Sequence, residues 1–303
     1  MRIITFSSRS TTFKWMICTV VSFLFLSRVN AQNTKWKFET DGIVRSTDLD
    51  WSIAGNLDGQ SPNILSELIF SNINAIGTSF KIKYNPTDKF DFFVSYQKLW
   101  TYAGTGLDTD YEKDDRVRPT YQQEFTSHTG SSNSVRIGGT YYLFINNKFK
   151  VGSGIQFRNF EHKLFILQEN LPDLNSTYIV NSKSLGLSLC GHYYLNEKMA
   201  FGSNIMYSIL NHHSKANWNL IDIFEHPVSF TQKAVGYGLE GTLNFNYFFK
   251  KNISMSFGLI FERQTSSDGK DKSYLKDKTT RETKFNGLNL NSKSLFLRFS
   301  YFL

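Results

Sequence analysis

The chain has 303 residues, a formal net charge of +8, 16% aromatic residues and two cysteines. This mild basic excess is not the concentrated positive charge that nucleic-acid binding requires, so no nucleic-acid partner is expected. A mean hydropathy of −0.32 does not separate a soluble β-protein from an outer-membrane barrel, because barrel strands alternate apolar and polar residues.

The N-terminal segment 1–31 is predicted to be a cleaved secretory signal peptide. Three basic residues precede an apolar run from Trp15 to Leu26, and Val29-Asn30-Ala31 fits the small-residue cleavage pattern. The apolar run is too short for a helix that spans a membrane. Cleavage leaves a single domain, 32–303, with one cysteine, Cys190, which cannot form an internal disulfide.

Long segments with period-two alternation follow one another along the rest of the chain. In Ser79–Tyr84, for example, Phe80, Ile82 and Tyr84 share one face and two lysines lie on the other. The pattern predicts an all-β fold, a transmembrane antiparallel β-barrel of about ten strands. The predicted strands are 48–58, 64–85, 89–104, 131–147, 149–167, 178–196, 198–211, 228–250, 252–265 and 284–303.

The connections between these strands alternate in length. Tight turns are predicted at 85–89, 146–148, 196–197 and 250–251, and long polar segments at 105–133, 167–178, 211–228 and 264–284. Short turns on one rim and long loops on the other are typical of barrels in the outer membrane of Gram-negative-type cells. A secreted β-sandwich is the alternative, but its strands average about 5–6 residues, shorter than these.

Charged residues of both signs are predicted to face the lumen. Because buried charges must be paired or hydrated, they favour a rigid, mostly filled barrel over a wide pore. Cys190 and His192 are read as lumen residues, since a metal site needs three or four ligands; no metal or cofactor is expected. The predicted lumen charges are Lys81, Lys83, Arg136, Arg158, Glu240, Glu262 and Arg298.

The acidic stretch TGLDTDYEKDD, Thr105–Asp115, is predicted to open the first long loop. Asp108 and Asp110 are two residues apart, so on an extended chain their side chains point to the same side. A solvated acidic face is the plain alternative. A calcium loop is weakly supported, because the glycine and glutamate that an EF-hand requires are missing.

Four short motifs resemble the omptin family of outer-membrane endopeptidases, which have ten strands and five outer loops. They are Ser66-Glu67-Leu68-Ile69-Phe70, Ala103-Gly104-Thr105-Gly106-Leu107-Asp108-Thr109-Asp110-Tyr111, Gly186-Leu187-Ser188-Leu189-Cys190-Gly191 and Met206-Tyr207-Ser208. The resemblance implies that Asp108 and Asp110 form one catalytic pair, facing an Asp-x-His pair from the fourth outer loop. A water held between the histidine and a carboxylate would attack the peptide carbonyl.

The second catalytic pair is where the sequence departs from the family. The expected position falls at Asn217-Trp218-Asn219, and asparagine cannot act as a general base. A shifted alignment would use Asp222 with His226, or with His212 or His213. The enzyme hypothesis is therefore an endopeptidase whose acidic loop favours basic peptides, with lipopolysaccharide as an activating lipid that the resemblance implies.

The alternative hypothesis is a catalytically inactive barrel of the same ancestry that serves adhesion, ligand binding or envelope structure. A narrow channel is the third hypothesis. In each case the partners expected are outer-membrane lipid, lipopolysaccharide included, and the protein is expected to be a monomer.

Overall fold

The computed structural model describes residues 35–303, so the predicted signal peptide 1–31 lies outside the described residues. Every regular element in the described part is a β-strand. The strands are β1 (Trp36–Ile53), β2 (Ser66–Thr87), β3 (Phe90–Lys113), β4 (Val117–Thr126), β5 (Gly130–Ile145), β6 (Phe149–Gln168), β7 (Leu171–Asn196), β8 (Met199–Asn217), β9 (Phe230–Lys250), β10 (Ile253–Ser266), β11 (Gly269–Tyr274) and β12 (Thr280–Phe302).

These strands form a closed antiparallel barrel with ten strand positions in its wall, each of which is called a stave. Strands β4 and β5 are two halves of one stave, because both pair with β3 on one side and β6 on the other. Strands β10 and β11 share a stave between β9 and β12 in the same way. Strand β1 pairs with β12 and closes the ring. The predicted barrel of about ten strands is confirmed.

Several strand boundaries differ from the prediction. The first strand begins at Trp36 rather than at 48, because its inward residues, such as Glu39 and Asp41, are charged and hide the apolar alternation. Strand β3 continues to Lys113, so most of the predicted loop 105–133 is a β-hairpin. Outside the membrane both faces of a strand can be polar, and the period-two signal disappears although the backbone ladder continues.

An apolar belt surrounds the barrel on its outward face. Leu187, Ile205 and Phe80 are 66%, 63% and 59% exposed, which is the expected state of side chains that face lipid. Toward the long-loop rim the outward residues become polar, for example His213 after Ile209 on β8. This belt defines the membrane-spanning part. Among residues 35–303 there is no helix long and apolar enough to cross a membrane.

The lumen beside the belt contains a network of charges. Arg136 donates two hydrogen bonds to Glu240, at 2.8 and 2.7 Å, and Arg158 donates to Glu262. Each pair joins staves that are not neighbours in the ring, so the contacts cross the lumen. Nearer the short turns, Arg298 binds Asp41 at 2.7 Å. The predicted inward charges therefore form a paired network, as buried charges must.

Above this network, toward the long-loop rim, the lumen is filled by an apolar plug. Trp51 on β1 stacks on Tyr178 on β7 at 5.4 Å and meets Phe230 on β9 at 5.7 Å. Phe70 on β2 lies 6.3 Å from Tyr178. The plug therefore bridges opposite walls. It consists of Leu49, Trp51, Leu68, Phe70, Ile73, Phe125, Phe160, Leu164, Ile166, Tyr178, Val180, Ala216, Phe230, Phe285, Leu288 and Leu290.

Candidate functional site at the outer mouth

A change of face in β2 and β3 determines where the acidic pair points. Ala75 pairs with Thr101 and both are buried in the lumen; further out, Phe70 pairs with Gly106 and both are again buried. On each strand the two buried residues are an odd number of positions apart, whereas inward residues of a regular strand are an even number apart. Each strand therefore changes which of its residues face inward between these two pairs. Asn72, with φ 52°, marks the irregularity in β2. Such bulges redirect side chains next to functional sites.

The switch turns Asp108 and Asp110 toward the interior. Asp108 pairs with Leu68 and Asp110 pairs with Ser66 across the β2–β3 ladder. Directly opposed residues in an antiparallel pair lie on the same face of the sheet, and Leu68 belongs to the plug. Both carboxyl groups therefore stand on the inner wall just above the plug, on the same side as each other, as the sequence predicts.

The electrostatics of this pair are unusual for surface carboxylates. Burial, together with the neighbouring Asp110 carboxylate, raises the pKa of Asp108 to about 7, and burial also raises the pKa of Asp110. Burial, together with the two carboxylates, raises the pKa of Tyr121, which pairs with Asp110 across the β3–β4 ladder. No cation among the described residues acts on either carboxyl. Near neutral pH the pair therefore holds a proton and lacks a positive partner.

The remaining acids of the stretch have a structural role. Asp114 accepts a hydrogen bond from the backbone N–H of Asn63 at 2.6 Å. Asp115 accepts one from the Asn63 side-chain amide at 2.9 Å and donates its backbone N–H in return. Arg116 binds both oxygens of Glu67. These contacts fasten the β1–β2 loop to the β3–β4 hairpin, so only part of the stretch is a solvated acidic face.

The fourth-loop candidates are held elsewhere. Asp222 is exposed, and the exposed His226 places its Nδ1 2.8 Å from Oδ1 of Asn217. The loop is tied to the hairpin of β11 and β12: the N–H of Glu225 donates to the Tyr274 carbonyl at 2.9 Å. Within residues 35–303, no hydrogen bond or ion pair joins Asp222 or His226 to the β3 carboxyls.

The segment Asn217-Trp218-Asn219 is used for packing. Oδ1 of Asn219 accepts from the N–H of Asn175 at 2.9 Å and from the Ser176 hydroxyl at 3.0 Å. Trp218 packs edge-on against Phe230 of the plug at 4.9 Å. The position where the omptin resemblance requires an acid and a histidine is thus occupied by residues that fix the loop to β7 and the plug.

The two histidines of β8 face opposite ways. His212 is buried and stacks on Phe285 of the plug at 5.8 Å. Burial, together with the neighbouring His213, lowers the pKa of His212 to about 4. His213 faces outward, where partial burial and the charges of Lys233 and Lys215 lower its pKa. Among the described residues no histidine is hydrogen-bonded to Asp108 or Asp110.

A further interior carboxyl, Asp271, was missed by sequence reasoning. It is 2% exposed on β11 and pairs with Gln232, which accepts a hydrogen bond from Tyr178 at 2.7 Å. Burial raises the pKa of Asp271 to about 7. The segment Gly269–Tyr274 is polar throughout, so no apolar alternation marks its inward face. A second interior carboxyl with a raised pKa therefore lies beside the plug.

Comparisons with known proteins agree with this architecture. A family profile described as "Pom: Protochlamydia outer membrane protein" matches residues 42–303. The crystal structure of outer membrane protease OmpT from Escherichia coli aligns with a TM-score of 0.69 and 12% identity, over 91% of this chain and 99% of that one. At this identity the likeness establishes the fold alone.

Another solved barrel is less similar. The translocator domain of autotransporter NalP from Neisseria meningitidis aligns with a TM-score of 0.41 and 8% identity, over 96% of this chain and 95% of that one. None of the curated proteins matches the chain. The profile match spans most of the chain, and the chain therefore belongs to the Protochlamydia outer membrane protein family, with an omptin-like barrel fold.

Proposed function

We propose that this outer-membrane barrel is a surface binding protein whose outer mouth takes up basic peptide segments without cleaving them. The observation that carries the proposal is the inward-facing pair Asp108 and Asp110, which has no positive partner among residues 35–303, while His226 and His212 are engaged elsewhere and His213 faces outward.

The chemistry of the mouth suits a cationic ligand. A lysine or arginine side chain lowered into the mouth would meet two carboxyls above an apolar floor, where ion pairs are screened less than in water. The aliphatic part of such a side chain would contact the plug. Because the cation favours the ionised form of Asp108, its binding displaces a proton, and the affinity should rise with pH through about 7.

Cleavage would require a general base within hydrogen-bond reach of the attacking water. His226 is oriented by Asn217, and His212 is enclosed by the plug. Asparagine at 217 and 219 has no basic group to replace them. These contacts support binding over catalysis.

A fluorescent arginine-rich peptide tests the proposal. Its binding to refolded protein is followed by anisotropy and its integrity by mass spectrometry, with lipopolysaccharide present. Asp108→Asn/Asp110→Asn should weaken binding at least about tenfold. The control Glu169→Gln/Asp173→Asn removes two exposed carboxylates on the same rim, one in the β6–β7 turn and one at the start of β7, and should bind as the wild type does. Equal binding by both double variants would reject the site.

The second candidate function is an omptin-like endopeptidase. It is favoured by the inward Asp108/Asp110 pair and by the ring order, which places β3 opposite β8 and β9, the strands that flank the loop of Asp222 and His226. In the same experiment, peptide cleavage by the wild type that is lost in Asp108→Asn/Asp110→Asn and in His226→Ala would establish this function instead.

Lipopolysaccharide is proposed as the lipid partner. Outward lysines lie just beyond the apolar belt on neighbouring staves β7, β8 and β9, namely Lys183, Lys215 and Lys233, and cations at that level would face lipid phosphates. The narrow-channel hypothesis is disfavoured by the cross-lumen contacts. Steady single-channel current through the refolded barrel in a planar bilayer would revive it.

A further inference from the structure

The short-turn mouth of the barrel opens into a cavity of about 480 Å³. All ten staves contribute to its lining, so it is the end of the lumen itself. In outer-membrane barrels the short-turn rim faces the periplasm. The paired charges around Arg298 and Asp41, and then Arg136 and Glu240, lie deeper in the lumen. The cavity is therefore a vestibule that is entered from the periplasmic side.

Positive charge dominates this vestibule. Four lysines line it, Lys35, Lys37, Lys83 and Lys150, against two aspartates. Lys37 is partly neutralised by the deeper Glu39 at 2.6 Å, and Lys83 lies 3.6 Å from Asp91. Lys150 has no acidic group within 4.0 Å among residues 35–303, so its charge is available to a ligand.

The ammonium group of Lys150 is nevertheless held in place. Its Nζ lies 3.7 Å from the centroid of the Tyr142 ring, within the range of a cation–π contact. The hydroxyl of Tyr142 in turn donates to Oδ2 of Asp91 at 2.7 Å. A cation fixed before the ligand arrives loses less side-chain entropy on binding.

The carboxylate beside this cation is satisfied within the barrel. Asp91 is 2% exposed, its Oδ2 accepts from Tyr142 and lies near Lys83, and Thr140 also hydrogen-bonds the carboxyl. Asp91 therefore fixes Tyr142 and Lys83, and the charge of Lys150 is left for a ligand.

The opposite wall carries no charge. Asn246, Ser254 and Phe248 line it, so a ligand's anionic end has a single favourable side, between Lys83 and Lys150. The vestibule thus combines a one-sided positive field and a fixed ammonium in a space that suits a small molecule.

We propose that this vestibule is a binding site for a small organic oxyanion, entering from the periplasmic side. Lys150 and Lys83 bind the phosphate or carboxylate group, and the contact between Tyr142 and Asp91 holds both lysines in place. The site lies at the mouth opposite to Asp108 and Asp110 and does not depend on the function proposed there.

Calorimetric titration of the refolded full chain with glycerol 3-phosphate and with lactate tests the site. Binding of either ligand supports it, and the tighter one identifies phosphate or carboxylate as the preferred group. Lys150→Gln should weaken that binding at least about tenfold. The matched control is Lys163→Gln on the same strand, whose ammonium also lies over a ring, that of Phe165 at 4.7 Å, but beyond the apolar belt.

Three results would overturn the proposal: no binding of either ligand to wild-type protein that shows heat-modifiable mobility, unchanged affinity in folded Lys150→Gln, or an equal loss in Lys163→Gln.

Discussion

The two halves of the lumen are built on the same staves but stabilised by opposite chemistry. Beside the membrane, inward side chains are charged and paired, as in Arg158 with Glu262. Beyond the membrane, they are apolar and meet across the lumen, as in Trp51 with Tyr178. A barrel that is apolar outside can carry polar residues inside, whereas its extramembrane part needs a core of its own because water surrounds it.

The charged half should respond most strongly to the loss of one partner. Glu262→Gln leaves the buried Arg158 with Glu240, 4.0 Å away, as its remaining acidic partner, and breaking a buried pair typically costs about 3–5 kcal/mol. The measurement is urea unfolding of the barrel in detergent. Glu282→Gln breaks a largely solvated contact with Lys270 and should cost at most about 1 kcal/mol. Equal losses would mean that the lumen charges are hydrated rather than paired.

The apolar half should respond to the loss of volume. Leu164 is 0% exposed in the plug, and Leu164→Ala should cost about 2–5 kcal/mol by leaving a cavity. Leu187→Ala is the matched control, since Leu187 is 66% exposed on the lipid side. The same unfolding experiment compares them. If the lipid-facing variant loses as much stability as the plug variant, the outer half has no core of its own.

The carboxyls at the mouth should make stability depend on pH. The pKa of Asp108 is raised to about 7 in the folded barrel, against about 3.9 for an unfolded aspartate. The folded state therefore binds more protons between these values, and stability falls as pH rises from about 4 to about 7. Asp108→Asn should unfold at higher urea than wild type at pH 8, with a smaller difference at pH 5.

The control for this pH effect is Asp222→Asn, at an exposed carboxyl in the fourth loop. It should change the unfolding midpoint by the same small amount at both pH values. The raised pKa of Asp108 would be contradicted if the unfolding midpoint of the wild type were the same at pH 5 and pH 8 and the midpoint of Asp108→Asn were also the same at both pH values.

The smallest expected effect concerns the connection between two outer hairpins. Asn63→Ala removes two side-chain hydrogen bonds, to Asp115 and from its N–H, and should cost about 1 kcal/mol or less because the site is exposed. Limited proteolysis should then cut the loop 54–65 faster. Asn170→Ala, in another outer turn, should leave the rate of cutting unchanged.

The sequence predicts the membrane half well and the outer half poorly, for a physical reason. Lipid requires an apolar outward face, so β7 shows Leu185, Leu187 and Leu189 in alternation. Beyond the belt this requirement ends, and polar strands such as β11 cannot be told from loops. The switch of face in β2 depends on one left-handed residue, Asn72, which no periodicity reveals.

The same difference between regular strands and polar loops decides which parts of the candidate site can be read from the sequence. Asp108 and Asp110 follow a strong strand, so their shared direction could be read from spacing. The contacts of His226 with Asn217 and of Asn219 with Asn175 arise from loop conformations, and spacing along the chain does not encode them. The peptide experiment decides whether the fourth loop supplies a catalytic pair.

The two divided staves carry a mechanical consequence. The ladder is interrupted at 127–129, between β4 and β5, and at 267–268, between β10 and β11. These staves are fourth and ninth in a ring of ten, so the interruptions lie across the barrel from each other. We expect the rim to flex about a line through them, which leaves the acid pair on one side and the fourth loop on the other. The N–H groups of Ser127 and Ser267 still donate to Gly104 and Val235, both at 2.8 Å. The backbone amides at 128–129 and 268 should exchange with solvent faster than their neighbours in the strands, and equal protection would mean that the rim moves as one rigid piece.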